Sequence, residues 1–241
     1  MLLKGIFLAA SIFLAASVCC QTNGRIIQPR PDGRIVQARP EKRIIQTEGE
    51  KGTTSSKALE YYNNAVTQFD QTDFKKSIEL FQLAIAEDSN FVEAYDNIGL
   101  IFRQLNMIDS AEHYYLESFE KDSTNVTPIL GLAVIAESEP NLEKAKRFFL
   151  LATRVAPEDP RGYFGLAEMH IVFGDLTEAL NNGQLAEKYY KKIESPYISD
   201  CYSMLCLICY EMKDLTQARK YLLLTKQAGG TVDPKLEKAL N

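Results

Sequence analysis

From residue 58 to residue 228 the chain repeats one pattern of small, large apolar and polar positions with a step of 34 residues. Ala65, Gly99, Ala133 and Ala167 stand on that step, and so do Ser77, Ala111, Ala145 and Ala179. Phe81, Tyr115 and Phe149 keep it, as do Ala84, Ser118, Ala152 and Ala186. A fifth unit with Cys206, Ala218 and Leu222 follows after five extra residues. Inside each unit the apolar residues recur at i+3 and i+4, the period of an amphipathic helix. In the second unit Tyr95, Ile98, Gly99 and Phe102 form one stripe, and Ala111, Tyr115 and Ser118 form the stripe of its partner. Small residues stand where two helix backbones must approach closely. A unit of this size cannot bury its apolar face alone, so it stacks on its neighbours. The pattern therefore predicts an all-α solenoid of about five helix pairs over residues 57–241.

Polar punctuation divides the units. Leu105 to Asp109 reads as the turn within the second unit, with Asp109 as N-cap. Thr72-Asp73 and Gly174-Asp175 occupy the same place in the first and fourth units. Junctions between units carry Asp88-Ser89-Asn90, Asp122 to Asn125, and Pro157 to Pro160. The fourth unit departs from the pattern, because Gly183 replaces the aromatic of its second helix. An extended helix and then a loop are expected through Lys191 to Tyr197, which makes the joint between units four and five the irregular one. The stretch Asp233 to Leu240 reads as a capping helix with Asp233 as N-cap and Pro234 as its first residue.

Each unit resembles a tetratricopeptide repeat. The residues that carry the resemblance are Tyr95, Ile98, Gly99, Phe102, Ala111 and Tyr115; Ile129, Leu132, Ala133, Ala145, Phe149 and Pro157; and Tyr163, Leu166, Ala167 and Ala179. The chain has no Trp, and Tyr61, Tyr95, Ile129, Tyr163 and Tyr202 take that place. The resemblance implies that the first helices line a groove that takes an extended peptide or a partner protein. Carried onto this chain, the groove wall is Tyr62, Val66 and Phe69; Asp96, Leu100 and Arg103; Leu130, Val134 and Glu137; Phe164, Glu168 and Ile171; and Leu207 and Tyr210. Some family members hold a C-terminal carboxylate with Lys, Arg and Asn. Only Asn97 falls on a matching place here, while Tyr62, Val66, Thr127 and Gly131 replace the others. The resemblance therefore implies no carboxylate clamp.

Ahead of the repeats, residues 1–20 read as a secretory signal peptide, with Lys4 at its start and an apolar run from Ile6 to Val18. A retained membrane anchor is one alternative, and lipidation at Cys19 or Cys20 is another. Residues 21–56 read as a disordered basic linker, since prolines and glycines deny it a helix and it has little apolar area to bury. It holds three nine-residue repeats: Arg25-Ile26-Ile27-Gln28, Arg34-Ile35-Val36-Gln37 and Arg43-Ile44-Ile45-Gln46. By tally, residues 21–51 carry seven Lys and Arg against four Asp and Glu, whereas residues 57–241 carry 19 against 28. An acidic solenoid excludes nucleic acid as its partner, because a phosphate-binding surface is basic. The opposite signs make self-docking of residues 21–50 on the solenoid an expectation.

The chain offers little to catalysis. Cys201, Cys206 and Cys209 all fall on the first helix of the fifth unit, and Cys206 and Cys209 stand where other units place small residues. They read as buried structural thiols and not as a redox or zinc pair. His113 and His170 lie in different units without ligand spacing. No nucleophile elbow, zinc-protease motif or phosphate loop occurs. No cofactor and no metal are expected. Asn125-Val126-Thr127 fits a glycosylation acceptor, followed directly by Pro128. The reading is an exported, secreted or periplasmic scaffold that binds a protein or extended peptide. The alternatives are a lipid- or membrane-anchored envelope tether and an enzyme's regulatory subunit.

Overall fold

The computed structural model describes residues 52–139 and 142–241, and the backbone of residues 27–29 and 35–37. The chain divides into two compact units, Met1–Arg43 and Ile44–Asn241. In the first unit, β1 (Ile27–Pro29) and β2 (Ile35–Gln37) pair antiparallel, with Ile27 opposite Gln37 and Pro29 opposite Ile35. These strands belong to the first two copies of the nine-residue motif, where the sequence predicted no element. Their β-branched residues suit a ladder. The signal peptide expected over residues 1–20 and the third copy at residues 43–46 lie outside the described residues.

In the second unit the described residues form five helix pairs and one further helix. The pairs are α1 (Ser56–Asp70) with α2 (Phe74–Glu87), α3 (Val92–Gln104) with α4 (Ile108–Lys121), and α5 (Val126–Ala136) with α6 (Leu142–Val155). They continue with α7 (Pro160–Phe173) and α8 (Leu176–Lys192), then α9 (Ile198–Glu211) and α10 (Leu215–Gln227). The last helix, α11 (Pro234–Leu240), starts on Pro234, and the Asp233 carboxylate accepts from the Lys235 N–H.

One turn design joins the two helices in four of the five pairs. A residue one or two positions past the end of the first helix takes a left-handed conformation: Thr72 (φ 63°), Asn106 (φ 58°), Gly174 (φ 80°) and Lys213 (φ 66°). The next N–H then closes back on the helix, from Asp73 to the Gln68 carbonyl, Met107 to Phe102, Asp175 to His170 and Asp214 to Cys209, all at 2.8–2.9 Å. These bonds satisfy carbonyls that a helix end otherwise leaves without donors. That same residue caps the second helix. Asp73, Asp175 and Asp214 each accept a backbone N–H through the side chain, from Lys76, Glu178 and Gln217. The second unit is the exception. Its cap position is Met107, which has no side-chain acceptor, and Asp109 lies inside the first turn of α4. Asp109 is therefore not the N-cap expected from the sequence, because the chain turns two residues earlier.

The core is built from aromatics of second helices laid on small residues of first helices. Gly99 of α3 and Gly131 of α5 both face the Tyr115 ring of α4; a Cβ there would lie 2.8 Å and 2.5 Å from ring atoms. Gly165 of α7 faces Phe149 of α6 in the same way, with a Cβ 2.3 Å from Cε1. Each aromatic thus bridges its own unit and the next. Phe149 is fully buried, which is worth roughly 1.5–3 kcal/mol of apolar transfer. The joint between units four and five reverses the sizes. The second helix supplies Gly183, and the following first helix supplies Leu205, whose Cδ2 lies 2.8 Å from where a Gly183 Cβ would stand. The missing aromatic of α8 is compensated from α9.

Candidate functional site

First helices sit side by side on one face: α3 touches α5, and α7 touches α9. The expected groove residues divide by depth. Tyr62, Val66, Phe69, Asp96, Leu100 and Leu130 are buried, so they hold the helices together and offer little surface. Arg103, Val134, Glu137, Phe164, Glu168, Ile171 and Tyr210 are half-buried, and Leu207 is 37% exposed. The accessible part of the face therefore runs along α5, α7 and α9. Two shallow hollows among the described residues lie off it. One is lined by Glu143, Lys144, Arg147, Phe148 and Leu151 of α6, and the other by Arg219, Leu222, Leu223 and Lys226 of α10 with Leu240 and Asn241. Both sit on second helices and neither gathers convergent polar groups for a small ligand.

A polar network that the repeat pattern did not predict ties the first helices of the opening units. Asn97 Nδ2 donates to the Tyr62 hydroxyl at 2.9 Å, across α3 and α1. Ser118 Oγ donates to Asp96 Oδ1 at 2.6 Å, and Asn125 Nδ2 donates to Asp96 Oδ2 at 2.7 Å. Asn125 also caps α5 by accepting from the Thr127 N–H, so both ends of its side chain are engaged in the fold. Burial pushes the Asp96 carboxyl up to about 7; the hydrogen bonds from Ser118 and Asn125 work against that shift, and nearby Glu93 adds to it. Burial likewise raises the Tyr62 hydroxyl. The sequence does hold a signal for this network. Positions 96 and 97 are Asp-Asn, where the next units have Leu130-Gly131 and Phe164-Gly165.

Two acceptors on α3 stay without donors among the described residues. Asn97 is fully buried, yet its Oδ1 has no hydrogen-bond partner, and neither has the buried Oε2 of Glu93 one turn earlier. The other Glu93 oxygen accepts the Gly52 N–H at 3.3 Å. A buried acceptor without a donor costs roughly 1–3 kcal/mol.

The cysteines are packing groups. Cys201, Cys206 and Cys209 are free and buried. Cys201 Sγ lies 3.5 Å from the Gly183 carbonyl, and Cys206 Sγ lies 3.3 Å from the Ala218 carbonyl. Burial raises all three thiols, Cys206 and Cys209 to about 11, which keeps them protonated and unreactive near neutral pH. His170 is half-buried with Nδ1 3.5 Å from Asp175, and His113 meets the Tyr114 ring edge-on. No group of three or more His, Cys, Asp or Glu that could hold a metal occurs among the described residues, and no described helix is long and apolar enough to cross a membrane.

Comparison with known proteins places these features. Residues 92–125, which are α3, α4 and the start of the next unit, match the tetratricopeptide repeat family model. Among curated proteins, the chain is 25% identical over 141 residues to the CTR9 homolog of Arabidopsis thaliana; the match takes in 57% of this chain but only 13% of that protein. Among solved structures, PilF of Pseudomonas aeruginosa superposes with a TM-score of 0.64 at 16% identity, covering 72% of this chain and 77% of that one. The APC/C hetero-tetramer Cut9–Hcn1 has a chain that gives 0.65 at 18% identity, covering 76% of this chain and 36% of that one. Yeast Tom70 gives 0.56 at 22% identity over 71% of this chain and 36% of its own. The resemblance read from the residues therefore holds: the chain carries a tetratricopeptide repeat at residues 92–125, set in an all-α solenoid that shares the fold of these structures.

Proposed function

We propose that this chain is an exported scaffold that binds a protein or an extended peptide along its first-helix face. The observation that supports this most directly is the row of half-buried side chains on that face: Val134 and Glu137, then Phe164, Glu168 and Ile171, then Tyr210. Apolar centres with charged neighbours suit one extended segment that buries alternate side chains. The fold, the repeat match and the buried, unreactive thiols all fit a binding role, and the comparison proteins include a chain of an assembled complex. Export rests on the apolar run at the start of the chain and the short positive segment before it.

The test is a comparison of partners retained by the parent chain and by Val134→Arg and Glu168→Lys variants, identified by quantitative mass spectrometry. A substitution on the other side, Leu150→Lys on α6, serves as control. Loss of the same polypeptide from both face variants, with retention by the control, is the expected result. Retention by the face variants and loss by the control would move the binding surface to the second helices. Cell fractionation of a C-terminally tagged chain tests export separately; a cytosolic, uncleaved product would overturn it.

A further inference from the structure

Charge is not shared evenly between the two sides of the solenoid. The first helices α1, α3, α5, α7 and α9 carry Glu60, Asp70, Glu93, Asp96, Glu168, Asp200 and Glu211 against Lys57, Arg103 and Arg161, a tally of seven to three. The second helices α2, α4, α6, α8 and α10 carry nine carboxylates against thirteen Lys and Arg. The first helices are therefore net acidic and the second helices net basic, and because the two tallies cancel, the overall acidity of the solenoid comes from its turns and loops. Opposed surface signs of this kind steer a charged partner to one side and reject it from the other.

The polar chemistry at the start of that face has the same direction. Glu93 and Asn97 stand one helical turn apart on α3, and each holds a buried oxygen without a donor. The three cations on these helices are all engaged within the fold. Arg161 forms a fork with Asp159, with Nη2 to Oδ2 at 2.6 Å, and Lys57 reaches Glu87 at 2.6 Å. The chemistry that suits such oxygens is a donor: an N–H of an extended backbone, or a guanidinium, which presents five in a fixed fork.

We infer that the first-helix face selects a partner's extended segment that is cationic, with an arginine drawn to Glu93 and neighbouring β-branched residues lying toward Val134. The inference rests on the scaffold reading and adds the chemistry of the segment. It reverses the sign of the carboxylate clamp that some members of the resembled family use, in keeping with the absence here of the Lys and Arg that such a clamp needs. The motif Arg-Ile-Ile-Gln, present three times ahead of the repeats, has this chemistry and serves as the probe.

The experiment uses the full chain and a labelled synthetic peptide of residues 21–50, followed by fluorescence anisotropy. A twin peptide has Arg25, Arg34 and Arg43 changed to Glu. The expected result is binding of the basic peptide at least tenfold tighter than its twin, weakening as salt rises, and weakened severalfold by Glu93→Gln. Equal binding of the two peptides, or no binding at millimolar concentration, overturns the inference. A second chain, with its own Arg25, Arg34 and Arg43 changed to Glu, is measured beside the parent. Binding seen only in that chain overturns the outside occupant in favour of the chain's own leading segment. If Val134→Arg and Glu168→Lys still lose their partner while neither peptide binds, the scaffold reading stands and only the charge selectivity falls.

Discussion

At the scale of single residues, two positions set against their surroundings give measurable consequences. Asp96 is a buried carboxyl on α3, held by Ser118 and Asn125, with its carboxyl raised from 3.8 to about 7. A raised carboxyl keeps its proton in the folded chain while the unfolded chain releases it. The folded state then binds more protons between about pH 4 and pH 7, so stability falls as pH rises through that window. Asp96→Asn removes this contribution. Thermal unfolding from pH 4 to pH 8 should show a downward slope in the parent that is shallower in the variant; identical slopes would mean that Asp96 is charged in the fold. Gly165 is the second position. A Cβ there meets the buried Phe149 ring at 2.3 Å, and that ring is held between α6 and α7. Gly165→Ala should cost about 1–3 kcal/mol in denaturant unfolding, the usual range for overpacking a close-packed core. A midpoint unchanged from the parent would show that Phe149 can move aside.

Elements follow rules that the sequence states in part. The left-handed residue and the capping Asp after it make a four-fold repeated turn, broken only at Met107 among the described turns. Met107 is 48% exposed, so little burial is lost by changing it. Met107→Asp should stabilise the chain by about 0.5–2 kcal/mol, the range for gaining an N-cap side chain, and a destabilised variant on calorimetry would contradict the turn register. The joint between units four and five makes a sharper test. Gly183→Phe restores the aromatic that other second helices carry, yet Leu205 already fills the space. The single substitution should destabilise, Leu205→Ala should cost roughly 2–5 kcal/mol as a buried truncation, and the double variant should cost clearly less than the sum. Strict additivity in that cycle would mean that the two side chains do not share a volume.

Over the whole molecule, the five pairs, the small positions and the capping helix were legible because each is a local spacing, repeated until chance is excluded. Other features were not, and the reasons are physical. Asp109 looked like a cap because an Asp near a turn usually is one, but the turn's left-handed residue fixes the start of α4 two residues earlier. The role of Gly183 was hidden because its compensating side chain, Leu205, lies in the next unit. Helical spacing marked Tyr62, Leu100 and Leu130 as outward, but contacts between units bury them, and periodicity within one helix does not report on its neighbours. Asp96, Asn97 and Glu93 carry the polar chemistry of the face, and their only trace in the sequence is a polar pair where the later units have Leu-Gly and Phe-Gly.

The central claim is that polypeptide is bound on the first-helix side of the solenoid. It is tested most directly by placing a photo-crosslinking amino acid in the full chain, in its native host, at Val134 or Ile171 on first helices, or at Leu150 or Leu223 on second helices. Val134 and Ile171 are half-buried on their face, and Leu150 and Leu223 are 41% and 57% exposed on theirs. The account predicts crosslinks to polypeptide from positions 134 and 171 and none from positions 150 and 223. Crosslinks confined to 150 and 223, or absent from all four, would contradict it.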